Sequence, residues 1–168
     1  MTIGRFYGGI AAVISSPDGR YLLLRRSAEK DFAAGAWECV TGRVDQGEGF
    51  EDAVRREVRE ELGAEVRIDF IVGTTHFYRG DPTPENELIG VVYACTVEEP
   101  GAIRTSAEHS EARWVTAEEA RTLLAVTDES TRASMHWMRR VIERVEVVRR
   151  MVPKELAGYW REVGFELG

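Results

Sequence analysis

Three glutamates, Glu57, Glu60 and Glu61, carry the strongest chemical signal in the chain. On a helix turning ~100° per residue they share an arc of about 100°. That arc adjoins an apolar stripe of Phe50, Val54, Val58 and Leu62, so the carboxylates crowd the margin of a buried face. Like charges held so closely raise one another's pKa values, a cost that a cation among them relieves. Hard oxygen donors in this number suit Mg²⁺ or Mn²⁺ better than zinc. Arg56 follows Glu48 by eight residues, two helical turns, a spacing that allows the pair to clamp the preceding loop to the helix. Gly42, Gly47 and Gly49 let that loop turn tightly near a ligand. The same spacing admits a plainer reading, a solvated helix face laced by i,i+3 and i,i+4 ion pairs. Glutamates at the C-terminal end of a helix oppose its dipole, which favours a metal without deciding the question.

The wider stretch GRVDQGEGFEDAVRREVREELGA, residues 42–64, places Gly42, Glu48, Arg56, Glu57, Val58, Glu60, Glu61 and Gly63 at fixed spacing. In that register it resembles the Nudix box. Leu62 fills the unrestricted position, and Ala64 is a small version of the closing aliphatic residue. The resemblance implies that Glu57, Glu60 and Glu61 bind divalent metal together with the backbone carbonyl of Thr41, one of them polarising the attacking water. It implies Glu48 and Arg56 as a supporting pair, with Gly42 and Gly63 as structural glycines. Glu108 becomes the candidate late ligand or general base, and Glu111 its alternative. The implied reaction is Mg²⁺-dependent hydrolysis of a phosphoanhydride in a nucleoside diphosphate linked to another moiety. A (deoxy)nucleoside triphosphate giving monophosphate and pyrophosphate leads; ADP-ribose and dinucleoside polyphosphates are the alternatives. The lead-in WECVTG (37–42), which departs from the commoner proline-glycine-glycine, and the Glu-His of SAEHSEARW (106–114) resemble the bacterial dihydroneopterin triphosphate and dATP pyrophosphohydrolase branch. A regulatory module that binds nucleotide without turnover, or an isomerase with a cysteine nucleophile, are rivals on the same fold. The complete set of glutamates argues against both, although Cys39 and Cys95 are available to the second.

Other candidates are less sharply marked. Arg25, Arg26 and Lys30 precede the box and suit phosphate contacts or plain solvation alike. Phe32, Trp37, His76 and Tyr78 are the available stacking groups for a base, and Trp37 equally suits a core position.

These residues need a scaffold, and the remaining pattern supplies one. Apolar runs predict strands over Phe6–Ser15, Tyr21–Leu24, Trp37–Thr41, 65–78 (one strand or two), Leu88–Val97 and Ala112–Val115. Ser16-Pro17-Asp18-Gly19 turns the first two into an antiparallel pair. Helices are expected over Glu48–Leu62, after the Thr116 cap with Glu119, and over Ser130–Val152, which Pro153 ends. The fold class is α/β (α+β): a mixed sheet sandwiched between helices, with an added C-terminal helix. Residues 1–128 are expected to form the hydrolase domain, and 129–168 a helical extension packed on it or at a homodimer interface.

The composition agrees. With 168 residues, 30% charged and 43% hydrophobic, the chain suits one soluble domain. Its net charge of −7 disfavours a nucleic-acid or membrane binder. A polyphosphate substrate is therefore expected to arrive as its Mg²⁺ chelate. The charge is uneven: residues 1–131 hold 14 basic and 24 acidic residues, and residues 132–161 hold 8 and 3. Two cysteines make no disulfide framework, and buried thiols are expected. The opening MTIGRFYGGIAAV has no basic leader and long apolar core, and no run reaches about 18 apolar residues, so a cytoplasmic location is expected.

Overall fold

The computed structural model describes residues 4–29, 33–125 and 128–167. The first strand, β1 (Tyr7–Ser15), is buried from Gly9 onward and lies at the centre of one seven-stranded mixed sheet. Its successive residues point to opposite faces, and both faces are covered. This is why GGIAAVI is apolar throughout rather than alternating. Along one edge β1 runs parallel to β6 (Glu87–Thr96), from Tyr7 opposite Leu88 to Ser15 opposite Thr96. Beyond β6 lies β5 (Arg67–Tyr78), antiparallel and continuous through two register shifts, so the segment 65–78 holds one strand and not two, beginning at Arg67.

The other edge of β1 is shared. β2 (Tyr21–Arg26) meets it at Ser15, and β4 (Val40–Arg43) pairs with Gly9–Ala12. The hairpin therefore splays after its turn. The single strand expected at Trp37–Thr41 is divided as a result: β3 (Trp37–Glu38) pairs with β2, and after Cys39 the chain changes partner to β1 as β4. β7 (His109–Val115) closes the far edge of β2 and starts earlier than its apolar run suggests. The backbone of Arg25 and Arg26 pairs with Glu111 and His109 across a bulge.

Helices cover the two faces. α1 (Phe50–Leu62) buries Ala53, Val54, Val58 and Leu62 against Ile10, Ala12, Ile14, Leu22 and Leu24. It ends at Gly63, whose left-handed backbone (φ 61°, ψ 26°) suits a residue without Cβ. α2 (Ala117–Leu123) starts with a reciprocal cap. The Thr116 side chain accepts from the Glu119 amide at 3.1 Å, and the Glu119 carboxylate accepts from the Thr116 amide at 2.7 Å.

The opposite face belongs to α3 (Glu129–Met151), whose Met135, Met138, Val141, Ile142 and Val145 pack on Ala11, Val13, Tyr21, Leu23 and Trp37. Arg149 reaches back to the sheet, donating to Ser15 Oγ at 2.9 Å and to the Tyr21 hydroxyl at 3.3 Å. That hydroxyl donates in turn to Glu146. Burial, then the Glu146 contact, pushes the Tyr21 phenol well above its ordinary value. One of the basic residues of this helix is thus spent on its own sheet. After Pro153, which ends the last individual helix named from the sequence, the chain forms a further helix, α4 (Lys154–Val163), within the expected helical extension. No helix among the described residues is long and apolar enough to cross a membrane.

The packing of α3 makes a measurable claim. Met138 is fully buried, so Met138→Ala is expected to cost about 2–5 kcal/mol in urea denaturation. A loss below about 0.5 kcal/mol, the usual figure for a surface substitution, would show that α3 is not part of the cooperative core.

Candidate active site

The site is built around one guanidinium. Arg56 donates from Nε and Nη2 to the two oxygens of Glu48 at 2.8 and 2.9 Å, and from Nη2 to the carbonyl of Arg43 at 2.8 Å. Glu48 also accepts from the Asp45 amide at 3.0 Å. The loop after β4 is thereby tied to the middle of α1. The Arg56 hydrogen bonds hold the Glu48 carboxyl below its ordinary pKa. Arg56 Nη1 faces the other way, 2.8 Å from Glu57 and 3.4 Å from Glu60.

The three box glutamates differ in their surroundings. Glu61 is buried, Glu57 nearly so, and Glu60 is 59% exposed along its side chain. Glu57 lies directly over β4: a Cβ built on Gly42 would stand 2.0 Å from its carboxyl carbon, so only glycine leaves room for it. Burial raises the Glu57 pKa; Arg56 offsets part of this, while Glu60 and Glu108 add to it. Among the described residues no three acidic, histidine or cysteine side chains converge on one metal-holding point. The donor set nevertheless fits Mg²⁺ in kind. It consists of carboxylate oxygens, one of them seated in a glycine cradle and reluctant to carry its charge without a cation. Thr41, the residue before Gly42, lies in β4 opposite Ala11.

The segment before β7 is docked on the C-terminal end of α1. The amides of Arg104 and Ser106 donate to the carbonyls of Leu62 and Glu61 at 2.9 and 2.8 Å, supplying acceptors of the last turn with donors from outside the helix. Glu108 is carried on this segment, and its charge is felt at Glu57. Glu111 lies further on, in β7, and is engaged by Arg113, with Arg25 3.8 Å away. Two residues absent from the sequence-derived set complete the inner side of the site. His109, with 3% of its side chain exposed, places Nε2 3.2 Å from Glu38 Oε1 and 3.8 Å from Glu61 Oε2. Glu38 in turn receives Nη1 of Arg26 at 2.9 and 3.0 Å. The Glu-His pair in the sequence was the available signal for His109. Nothing local marks Glu38 except a carboxylate set between Trp37 and Cys39.

The outlying candidates separate. Arg26 is committed to Glu38, while Arg25 is exposed beside Glu111. Trp37 is a core residue, with the Arg113 guanidinium 5.0 Å from its ring centre. His76 and Tyr78 touch edge to face at 5.5 Å, and His76 meets Glu87 at 2.9 Å. His76, Ile89, Gly8 and Val44 form one row across β5, β6, β1 and the end of β4. At about 4.8 Å per strand this sets His76 some ~14 Å from the box loop. Lys30 and Phe32 lie outside the described residues. A cavity of about 560 Å³ opens between α1, β5 and α4, lined by Arg55, Arg67, Trp160 and Phe165 among others. None of the box glutamates Glu57, Glu60 and Glu61 lines it.

A carboxylate-edged helix clamped to a glycine loop, on a mixed sheet between helices, defines a phosphoanhydride hydrolase of the α/β class. The NUDIX domain model matches residues 6–138. The chain belongs to the NUDIX domain family and is a pyrophosphohydrolase of that family. It is similar to isopentenyl-diphosphate Δ-isomerase from Kocuria rhizophila, at 33% identity over 74% of this chain and 69% of that protein. It is also similar to the nucleoside triphosphatase NudI from Escherichia coli, at 29% identity over 61% of this chain and 77% of that protein. Two further curated relatives are longer, and the chain spans 27% and 21% of their lengths. Among solved structures, the MutT protein of Methanosarcina mazei Go1 superposes with a TM-score of 0.68 at 27% identity, over 89% of this chain and 99% of that one.

The cradle and the raised Glu57 pKa each yield a test. Gly42→Ala drives a methyl into the Glu57 carboxylate and is expected to lower turnover about 10²-fold, with far-UV circular dichroism unchanged; wild-type turnover would refute the cradle. Because the folded-state value is raised, ionised Glu57 costs stability above that value, and the cost fades as pH falls through it toward the ordinary carboxylate range. Glu57→Gln is therefore expected to raise the melting temperature of metal-free protein at neutral pH. A fall of more than about 2 °C in calorimetry would contradict this.

Proposed function

We propose that this enzyme hydrolyses a (deoxy)nucleoside triphosphate to the monophosphate and pyrophosphate, with Mg²⁺ as cofactor. The observation that carries the reading is Glu57 in its Gly42 cradle beside the Arg56–Glu48 clamp. That arrangement sets an ionisable oxygen at the edge of α1, with the neighbouring carboxylates Glu60 and Glu61 on the same arc. Glu57, Glu60 and Glu61 would hold Mg²⁺ together with the Thr41 carbonyl and Glu108; Glu111 is the alternative, already engaged by Arg113. When bound, the ion supplies neutralisation of the phosphate oxygens and a lowered pKa for the attacking water. The chain's own part is orientation. Arg56 fixes the loop and turns Glu57; His109, lodged between Glu38 and Glu61, restrains the buried glutamate. Arg25 is the exposed cation of the strand end before the box and the candidate for a phosphate contact.

Two features favour a triphosphate over ADP-ribose or a dinucleoside polyphosphate: the WECVTG lead-in, and the likeness to a nucleoside triphosphatase. The same lead-in and the Glu-His pair support the dihydroneopterin triphosphate and dATP type, whose cleavage also releases pyrophosphate. His76, exposed on β5, and Tyr78, half-buried at its end, are the rings offered to a base. The isomerase relative raises a rival that needs a reactive thiol. Cys39 and Cys95 are both buried, and burial pushes each thiol far above its ordinary pKa, which disfavours a thiolate nucleophile. The proposal includes residues 1–128 as the hydrolase unit, 129–168 as a helical extension seated on it, and a cytoplasmic location.

The test is a panel with Mg²⁺: nucleoside triphosphates, dihydroneopterin triphosphate, ADP-ribose, a dinucleoside polyphosphate and isopentenyl diphosphate, scored by product. Pyrophosphate release from a triphosphate is expected. AMP with a sugar phosphate, or double-bond migration without hydrolysis, would replace the reading. Glu57→Gln and Glu61→Gln are each expected to lower turnover at least about 10²-fold, and full activity in both would sink the site assignment.

A further inference from the structure

α1 begins without a cap of its own. Its N-cap residue, Gly49, has no side chain to receive the first-turn amides, and such amides have no intrahelical acceptor. The acceptor comes from the other end of the chain. The Glu166 carboxylate receives the amide of Phe50 at 2.8 Å and that of Glu51 at 3.3 Å. Glu51 answers in kind: its carboxylate receives the amides of Phe165 at 2.5 Å and Glu166 at 3.0 Å. The pattern is that of a capping box, two carboxylates each satisfying the other's backbone, but its halves lie about 115 residues apart.

Three further observations show that this contact is built into the fold. Gly49 has the Glu166 oxygens in the space a side chain would take, at 2.6 and 2.7 Å from a built Cβ. Phe165 is wedged between Tyr93 of β6 and Trp160 of α4, at 6.0 and 5.3 Å between ring centres. It packs against the apolar clusters of both sheet faces. Finally, Glu51 is buried although charged residues rarely are, and the tail's two amides, with Arg55 at 3.4 Å, account for its burial.

We infer that the segment Gly164–Leu167 is a strap that sets the position of the box helix, with Glu166 as a positioning residue acting through α1. This rests on the reading of α1 as the metal-binding helix. A carboxylate at a helix N-terminus satisfies amides and complements the positive end of the dipole. Here it also fixes where the first turn sits relative to the sheet. The box glutamates follow on the same rigid element about two to three turns later, so their approach to the Gly42 cradle depends on that anchorage. The catalytic carboxylates do not touch the strap; the helix transmits its effect.

The experiment uses the full chain and two readouts, neither of which requires turnover. Residue-resolved amide exchange of metal-free protein is expected to show Phe50 and Glu51 protected in the wild type. Glu166→Ala should speed both about 10-fold, with far-UV circular dichroism retained. Glu166→Gln keeps the acceptor oxygen and should restore most of the protection. Titration calorimetry with Mg²⁺ alone is expected to show about 10-fold weaker binding in Glu166→Ala, again recovered by Glu166→Gln. Amides that exchange freely in the wild type, or at the same rate in Glu166→Ala, would overturn the strap. Released amides with unchanged Mg²⁺ affinity would overturn the positioning role and leave a merely structural cap. Absence of Mg²⁺ binding in the wild type would overturn the reading of the site and with it the positioning role, while the exchange result would still decide the strap.

Discussion

The arrangement of the site depends on the guanidinium of Arg56. Its side chain touches the loop, the helix and the carboxylates at once. Removing it would release Glu48 and the carbonyl of Arg43 on one side and leave Glu57 and Glu60 facing each other on the other. The clamp works because arginine presents donors in a rigid plane and remains charged at any working pH. The lowered pKa of Glu48 keeps the ion pair intact below the range where an ordinary carboxylate protonates. Glu57 has the opposite condition. Burial pushes its pKa up, so the helix carries a stabilised acid at its root and a strained one at its edge. A scaffold that tolerates a destabilised carboxylate has to be firm elsewhere, and here firmness comes from a helix held along its length by a fully apolar stripe.

Much of this was legible in residue order. The box spacing placed Glu48 and Arg56 two turns apart and set Glu57, Glu60 and Glu61 beside the stripe of Val54, Val58 and Leu62. The apolar runs of β1, β5 and β6 and the Thr116 capping box stand out because their signals are local. What was hidden depends on tertiary partners. The division of residues 37–43 between two strands follows from the splay of β1 and β2, which no pattern inside the segment announces. Glu38 and His109 look like ordinary polar residues until β3 and β7 flank the same strand and bring them together. α4 is short, follows Pro153 and buries no residue fully, so it leaves no long apolar stripe in the sequence. Glu166 reads as a terminal acid because the amides it serves lie at the far end of the sequence.

The C-terminal helices also change the meaning of the charge division along the chain. The basic excess after Arg132 suggested a separate element, yet α3 supplies an entire face of the core. Its arginines are divided in use. Arg149 turns inward to Ser15 and Tyr21, Arg139 pairs with Glu143 on its own helix at 3.0 Å, and the Arg144 guanidinium lies against Gly73 of β5. These three guanidiniums therefore serve three different partners rather than one shared basic face.

The parallel ladder between β1 and β6 has a consequence for how the chain reaches this state. Partners such as Ile10 and Val91, or Ser15 and Thr96, are about eighty residues apart, and the entire box lies inside that interval. Pairing of such high contact order forms late and cooperatively, because the loop it closes must be gathered before any contact repays the lost entropy. A fragment that stopped before Glu87 would contain every residue of the box and still lack the strand that completes the sheet beneath it. The motif that identifies the chemistry is therefore not a folding unit, and its geometry is acquired only when a distant strand arrives.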